Sequence, residues 1–273
     1  MRFYFGSNLK MNQSPREACD YVAQIESWLV QSPAVRSEVQ LWAAVSFINL
    51  EAAARARPHS RLWIGAQNVH WADEGAFTGE VSAKQLKACG ADFVLLGHAE
   101  RRTLFGETDE QIGLKARACA RHKLRIILCV GEPSQVYEAG AGAGYVDRQL
   151  EQCLARIETP VELSILYEPI WSIGEKGRPA ELGYVDQSLS HIRSFLGRRF
   201  PAGGGDVPVM YGGSVTAANA GDYAALPHCA GLGVGRAAWA APDFVTVLRQ
   251  CLARKHGADG LPSLGFPAGA AHW

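Results

Sequence analysis

The stretch Leu166-Tyr-Glu-Pro-Ile-Trp-Ser-Ile-Gly174 completes an apolar, strand-like run that begins at Leu163. A carboxylate, Glu168, follows this run at once, so we expect it to stand at the tip of a β-strand. Pro169 fixes its own backbone and pushes the residue before it toward an extended conformation. The apolar segment beyond it ends in glycine and is suited to closing over the carboxylate and excluding water. A carboxylate at the mouth of a closable pocket is what proton abstraction from carbon requires.

Similar apolar, β-rich runs recur along the chain and alternate with segments of helical periodicity. We predict strands at Phe3–Phe5, Val39–Val45, Leu62–Gln67, Phe93–Leu96, Arg125–Val130, Leu163–Tyr167, Val207–Tyr211 and Gly231–Val234. We predict helices at Pro15–Val30, Thr103–His122, Val146–Ile157, Val185–Phe200 and Pro242–Lys255. Eight strand–helix units in 273 residues favour an α/β fold with a single closed (β/α)8 TIM barrel over an open doubly wound sheet.

The chain ends in a stretch rich in glycine, alanine and proline. We therefore predict one catalytic domain over residues 1–256 and a surface tail over residues 257–273. The segment Gly140-Ala-Gly-Ala-Gly144 is expected to be a flexible loop.

Composition narrows the classes of partner. Lysine plus arginine and aspartate plus glutamate each total 27, which gives no support for a nucleic-acid or anionic-membrane partner. No run approaches the roughly 20 apolar residues of a membrane span, and the N-terminus has no signal-peptide pattern. The seven cysteines are odd in number and lack paired metal-ligand spacing. We expect buried, reduced thiols in a cytoplasmic protein.

In such a barrel the active site lies at the carboxyl ends of the strands. Few polar or glycine-rich groups follow the predicted strands. They are Asn8 and Lys10 after the first, Gly97-His-Ala-Glu-Arg-Arg102 after the fourth, Glu168 after the sixth, Gly212-Gly-Ser214 after the seventh and Gly235-Arg236 after the eighth.

The glycine-rich groups after the seventh and eighth strands have the features of a phosphate cradle. Glycine lets backbone N–H groups approach an anion, and each loop is predicted to lead into a helix N-terminus. Either loop alone could be an ordinary strand-to-helix turn. Their matching positions favour the cradle, in which Gly213, Ser214 and Gly235 would contact phosphate.

The remaining groups each have a functional and a structural interpretation. His98 precedes a predicted helix start, which disfavours added positive charge, so we expect a neutral imidazole that donates a hydrogen bond to a carbonyl. Lys10 either neutralises a substrate anion or is a solvated surface lysine. Asn8 either polarises a substrate oxygen or caps a turn. Glu100 either positions Lys10 or forms an ordinary ion pair.

Taken together, these groups resemble the triosephosphate isomerase family. The matching motifs occur in the family's order over nearly all of residues 3–255. They are Asn8-Leu-Lys-Met-Asn12, Gly65-Ala-Gln-Asn68, Gly75-Ala-Phe-Thr-Gly-Glu80, Gly97-His-Ala-Glu-Arg-Arg102, Phe105-Gly-Glu107, Cys129-Val-Gly-Glu132, Tyr167-Glu-Pro-Ile-Trp171 and Tyr211-Gly-Gly-Ser-Val215.

The resemblance implies a cofactor-free aldose–ketose isomerase for a small phosphorylated sugar. Glu168 would be the base, His98 the neutral electrophile and Lys10 the electrostatic stabiliser. A lid over Pro169–Lys176 would contribute the N–H of Gly174 to phosphate binding. The resemblance also implies a homodimer, in which Thr78 enters the neighbouring subunit and braces Asn8 and Lys10.

Several positions depart from the family's usual pattern. Leu9 and Ala99 stand where the family usually has tryptophan and serine, and Arg236 stands where a second glycine is usual. The lid end Gly174-Glu-Lys-Gly177 is one residue longer. The runs His70-Trp-Ala-Asp73, Gly174-Glu-Lys-Gly177 and Gly235-Arg-Ala-Ala-Trp239 resemble the branch that acts on four-carbon tetrulose phosphates. Arg236 could contact phosphate or form a surface ion pair.

The leading hypothesis from the sequence is interconversion of dihydroxyacetone phosphate and D-glyceraldehyde 3-phosphate through an enediolate. The close alternative is the same chemistry on erythrulose phosphate. A non-catalytic phosphate-binding barrel is the alternative from another class, but it would have been favoured by loss of Glu168 or His98, and both are present.

Overall fold

The computed structural model describes residues 2–57, 62–174 and 177–256. Within these ranges, eight parallel strands close in chain order, and the last strand pairs with the first. The strands are β1 (Phe3–Asn8), β2 (Val39–Val45), β3 (Leu62–Ala66), β4 (Phe93–Leu96), β5 (Arg125–Val130), β6 (Leu163–Tyr167), β7 (Val209–Tyr211) and β8 (Gly231–Val234). The predicted (β/α)8 barrel is confirmed. The tail predicted at 257–273 lies outside the described residues.

Eleven α-helices surround the barrel in the described part of the chain. They are α1 (Pro15–Val30), α2 (Pro33–Glu38), α3 (Leu50–Arg55), α4 (Ala83–Ala88), α5 (Ala99–Leu104), α6 (Asp109–Arg121), α7 (Ser134–Glu138), α8 (Gly142–Cys153), α9 (Leu182–Arg199), α10 (Ala220–Ala224) and α11 (Ala241–His256). None of the helices in these ranges is long and apolar enough to cross a membrane.

Two predicted segments were wrong. The helix predicted over Thr103–His122 is two helices, because Gly106 has a φ of 65° and Thr108 then caps the N-terminus of α6. The loop predicted over Gly140–Gly144 is helical from Gly142 onward, since this residue begins α8. Val146, Leu150 and Cys153 of α8 are buried and pack the helix against the rest of the protein. This packing outweighs the low helix propensity of glycine.

The apolar core has two layers. One layer lies between strands and helices, and the other fills the inside of the barrel with Trp42, Ala44, Phe93, Leu95, Ile127, Cys129, Leu166 and Met210. Trp42 pairs with Gly6 across β1 and β2. A Cβ on Gly6 would lie 2.0 Å from the Trp42 ring, so glycine makes room for the indole. The strand-tip residues lie at the carboxyl ends of the strands, next to this packed interior.

Candidate active site

The strand tips enclose a cavity of about 340 Å3. The predicted site residues that line it come from five strand ends and from the segment after Glu168. They are Asn8, Lys10, His98, Glu168, Gly174, Gly213, Ser214, Gly235 and Arg236. Two predicted supporting residues lie elsewhere. Glu100 lines an adjoining groove, and Thr78 is exposed on the loop between β3 and α4.

Glu168 follows β6 directly and is held from several sides. Its N–H donates to the carbonyl of Val130 at 2.7 Å, and its Oε2 accepts from the N–H of Ala99 at 3.4 Å. A Cβ on Gly131 would lie 1.9 Å from the Glu168 carbonyl oxygen, so glycine permits this close approach of β5 and β6. The carboxylate is 5% exposed, and it therefore occupies a largely water-free position at the cavity wall.

Cys129 is a neighbour of this carboxylate inside the barrel. Burial raises the pKa of the Cys129 thiol well above its ordinary value, and the adjacent Glu168 charge and hydrogen bond raise it further. The thiol therefore stays protonated and can donate to the carboxylate. The sequence places Cys129 in an apolar strand, but it does not reveal this contact.

His98 is the N-cap of α5, as the predicted helix start requires. Its Nδ1 accepts from the N–H of Glu100 at 3.2 Å, so Nδ1 carries no proton. A neutral ring with one proton must then hold it on Nε2. The Nε2 atom is 3.6 Å from Oε1 of Glu168, and both side chains face the same cavity. An acceptor for a carbon-bound proton and an N–H donor for a carbonyl oxygen thus lie side by side.

Lys10 lines the same cavity as this pair. Its Nζ is 2.6 Å from Oε1 of Glu100, and its N–H donates to Oδ1 of Asn8 at 3.0 Å. Gln67 holds the Lys10 carbonyl through a hydrogen bond of 2.9 Å, and Trp239 donates to the carbonyl of Asn8 at 2.9 Å. The ammonium is about one-fifth exposed, so its charge reaches the cavity with limited screening by water.

The predicted phosphate end is built from two short loops. After β8, a 3-10 helix over Arg236–Ala238 begins directly behind Gly235, whereas α10 begins only at Ala220, well beyond Ser214. The helix N-terminus predicted for the β7 loop is therefore remote. Ser214 donates through its N–H to Oγ of Ser172 at 3.1 Å and through its hydroxyl to the carbonyl of Ser172 at 2.7 Å.

The segment after Glu168 is anchored at Glu132. This fully buried carboxylate accepts from Trp171 at 3.0 Å, from the hydroxyl of Tyr184 at 2.9 Å and from the hydroxyl of Tyr167 at 3.0 Å. Glu175 and Lys176, the last residues of the predicted lid, lie outside the described residues. The described part of the lid contributes Ser172, Ile173 and Gly174 to the cavity wall.

A second groove of about 250 Å3 adjoins the cavity and shares Asn8, Lys10 and His98 with it. Met11, Phe47 and Phe105 line this groove, and Met11 is 95% exposed. Ile48 and Leu104 also expose most of their apolar surface. The outer side of the site is thus apolar and open in the single chain.

Sequence reasoning missed several residues that hold the site. Gln67 and Trp239 act on backbone carbonyls, Ser172 contacts Ser214, and Cys129 contacts Glu168. Gln67 lies in the motif Gly65-Ala-Gln-Asn68, and Cys129 begins the motif Cys129-Val-Gly-Glu132. These two motifs were the sequence signal that could have identified both residues. Within the described residues, no group of three or more His, Cys, Asp or Glu side chains could hold a metal ion.

A closed (β/α)8 barrel with a carboxylate, an imidazole and a lysine at its strand tips defines the class of aldose–ketose isomerases, which are intramolecular oxidoreductases. A sequence model of triosephosphate isomerase matches residues 3–251. The chain belongs to the triosephosphate isomerase family.

Curated relatives point to one branch of this family. The chain is 36% identical over 254 residues to an L-erythrulose-1-phosphate isomerase of Mesorhizobium japonicum, with 92% of this chain and 98% of the relative covered. It is 38% identical over 258 residues to that of Rhizobium etli, with 92% of each chain covered.

Among solved structures, the triosephosphate isomerase of Bartonella henselae is similar, with a TM-score of 0.82 and 29% identity over 92% of this chain and 99% of that chain.

Proposed function

We propose that this protein isomerises a four-carbon ketose phosphate of the L-erythrulose 1-phosphate type by proton transfer through an enediolate. The observation that carries the proposal is the pairing of Glu168 Oε1 with His98 Nε2, 3.6 Å apart, in one cavity with the glycine-rich loops. The names of the curated relatives favour this substrate over the three-carbon one that the sequence motifs put first.

The chemistry follows from the connectivity of such a substrate. Phosphate is on C1 and the carbonyl is on C2, so the acidic proton away from the phosphate is on C3. Glu168 would remove this proton while the Nε2–H of His98 and the Lys10 ammonium stabilise the charge that develops on oxygen. Return of the carbon-bound proton to C2, together with transfer of the hydroxyl proton from the oxygen on C3 to the oxygen on C2 through His98, places the carbonyl on C3 and gives a second ketose phosphate. Asn8 would contact the same oxygens, and Glu100 would position Lys10.

Phosphate would bind at the opposite end of the cavity. Gly174, Gly213, Ser214 and Gly235 would offer backbone N–H groups there, and the exposed side chain of Arg236 borders the same space. Charge-assisted hydrogen bonds from backbone N–H groups to phosphate are about twice as strong as neutral ones. Their binding energy would hold the carbon chain against Glu168.

The second candidate substrate is dihydroxyacetone phosphate, with D-glyceraldehyde 3-phosphate as its product. The similarity to the Bartonella henselae enzyme favours it. The two substrates differ by a hydroxymethyl group on the carbon that loses the proton. Every catalytic group proposed above would keep its role.

We also propose a cytoplasmic homodimer. The open apolar groove beside Lys10 and His98 is suited to an exposed loop from a second copy. The segment around Thr78 is such a loop, and its Phe77 is 44% exposed. In this arrangement Thr78 would reach Asn8 and Lys10 of the neighbouring subunit.

The test compares initial rates of the purified protein on L-erythrulose 1-phosphate and on dihydroxyacetone phosphate. We expect kcat/KM to favour the four-carbon substrate by about tenfold or more, since a buried polar group that is left without its hydrogen-bond partner costs about 1–3 kcal/mol. A preference for dihydroxyacetone phosphate would select the second candidate. Phosphate binding without turnover of either substrate would select the non-catalytic barrel.

A further inference from the structure

Ser172 contacts the proposed phosphate site from the segment that follows Glu168. It ends the 3-10 turn Ile170–Ser172 and is fully buried. Its Oγ accepts from the N–H of Ser214 at 3.1 Å and shares a hydrogen bond of 3.3 Å with the hydroxyl of Tyr211. Its carbonyl accepts from the Ser214 hydroxyl at 2.7 Å.

The Ser172 oxygens therefore occupy both donors of Ser214. Both residues line the cavity in which the substrate is proposed to bind. A backbone N–H has a single proton, so it cannot donate at full strength to Ser172 and to an anion. The neighbouring Gly213 is equally crowded, because a Cβ there would lie 2.6 Å from Oγ of Ser172 and 2.0 Å from the Tyr211 hydroxyl.

We infer that the Ser172 hydroxyl is an internal substitute for a phosphate oxygen, and that the incoming phosphate must displace it from the Ser214 N–H. This inference rests on the proposed function, because it takes Ser214 as a phosphate ligand. The hydrogen bond from the Ser214 N–H to Ser172 is neutral, whereas the bond to phosphate that replaces it is charge-assisted and therefore stronger. Phosphate thus displaces Ser172, but it binds less tightly than it would without this competition.

The exchange links the two ends of the active site. Ser172 is joined to Glu168 through Pro169 and the 3-10 turn, whose Ser172 N–H donates to the Pro169 carbonyl at 2.8 Å. In the described conformation, Oε2 of Glu168 accepts from the N–H of Ala99. Release of Ser172 from Ser214 loosens this end of the segment, while Trp171 stays bound to Glu132. Ser172 is thus a positioning residue that acts through Ser214.

The test is titration of inorganic phosphate into the parent protein, Ser172→Ala and a control, followed by calorimetry. Ser194→Ala is the matched control, because the Ser194 hydroxyl bonds a carbonyl within α9 on the exposed surface. We expect Ser172→Ala to bind phosphate about fivefold more tightly, as loss of one competing neutral hydrogen bond implies. KM for the sugar phosphate falls by a similar factor, while kcat changes less than about twofold. Ser194→Ala leaves both unchanged.

A second variant keeps the test valid if Ser172→Ala does not fold. Ser172→Cys keeps a side chain of similar shape with a weak acceptor, so its phosphate affinity should lie between those of the parent and Ser172→Ala. Phosphate affinity that is unchanged, weakened or undetectable in folded Ser172→Ala or Ser172→Cys would overturn the inference. Sugar-phosphate turnover is measured separately. Tighter phosphate binding without any turnover would support the displacement and reject the proposed function, whereas parental turnover with unchanged phosphate affinity would reject only the displacement.

Discussion

At the residue scale, Lys10 combines a strained backbone with a precise set of contacts. Its φ is 52°, in the left-handed region that residues other than glycine rarely adopt, and such a conformation costs on the order of 1–3 kcal/mol. The Gln67 hydrogen bond to its carbonyl and the ion pair with Glu100 offset this cost. The side chain of Lys10 lines the cavity that Glu168 and His98 share.

Replacement of Lys10 by methionine tests the proposed role of its charge. The change retains the length of the side chain and removes the ammonium. We expect kcat/KM to fall by about a hundredfold or more, because a charge at a developing oxyanion contributes several kcal/mol. Steady-state kinetics would measure the loss. Lys87→Met is the control, since the exposed Lys87 ammonium donates to the carbonyl of Lys123, away from the loop that carries Thr78. A Lys10→Met rate within twofold of the parent would contradict the assigned role.

At this scale the sequence predicted which side chains lie at the cavity, but it said less about the contacts that those side chains make. Strand tips meet at one rim, so the positions of Asn8, His98 and Glu168 at one cavity follow from the predicted strands. Contacts such as that of Ser172 with Ser214 depend on how a loop turns, and hydrophobic periodicity carries no such signal. The same applies to the backbone conformation of Lys10.

At the element scale, α1 contains a carboxylate that faces the protein. Glu26 is 7% exposed, and its Oε1 has no hydrogen-bond partner among the described residues. Burial raises the pKa of Glu26 to about 7, although the charges of Arg57 and Arg36 oppose the shift. Because the folded pKa lies above the ordinary glutamate pKa of 4.5, the folded protein retains a proton that the unfolded chain releases.

This shift predicts the direction of a pH effect on stability. The contribution of Glu26 is fully present below about pH 4.5 and is lost as the pH rises through about 7. Glutamine does not ionise, so Glu26→Gln should keep its stability at high pH. At pH 8 we expect its free energy of unfolding to exceed that of the parent by about 2 kcal/mol, a value reduced to allow for partial solvation of Glu26. Urea unfolding at pH 5.5 and pH 8 measures the difference. Asp20→Asn, an exposed change on α1, should keep the parental pH dependence. An equal pH dependence in Glu26→Gln would contradict the assignment.

The elements themselves were predictable where their patterns are long. The bounds of α1 and of β2, β4, β5, β6 and β8 agree with those predicted. The helix α1 has a clear helical periodicity of apolar residues, and the strands are short, mostly apolar runs with polar or turn-forming residues on either side. The short helices α2, α3, α4, α7 and α10 were not predicted, since five or six residues carry too little periodicity. The division of α5 from α6 depends on turn chemistry at Gly106 and Thr108.

At the scale of the whole molecule, the site is open toward the groove beside Lys10. The apolar side chains around it are exposed in the single chain, and an exposed apolar patch of this kind marks an interaction surface. The proposed homodimer would cover the groove with the Thr78 segment. The loop that carries this segment is tied back to α6, since Asp73 pairs with Arg121 and His122 at 2.8 Å each. A loop held in place before association has less conformational entropy to lose.

Ile48 follows Phe47, which lines the groove, and Ile48→Asp tests the proposed dimer. Ile48 is 75% exposed, so the change removes little apolar burial within the single chain. A charge in an interface core costs on the order of 2 kcal/mol or more, and the dimer dissociation constant should therefore rise at least about thirtyfold. Analytical ultracentrifugation and activity across a concentration series measure the effect. Val161→Asp is the matched control, because Val161 is 74% exposed near the start of β6, at the opposite end of the barrel. A monomeric parent, or an unaltered Ile48→Asp dimer, would contradict the proposed interface.

The central claim is that Glu168 moves the proton beside a neutral His98. Glu168→Gln keeps the shape of the side chain and removes its basicity, so the most direct measurement is kcat of this variant together with its affinity for inorganic phosphate. We predict that kcat falls by about a thousandfold, in the range of general base catalysis, while phosphate affinity stays within about twofold of the parent. A folded Glu168→Gln protein that isomerises sugar phosphate as fast as the parent would contradict the account.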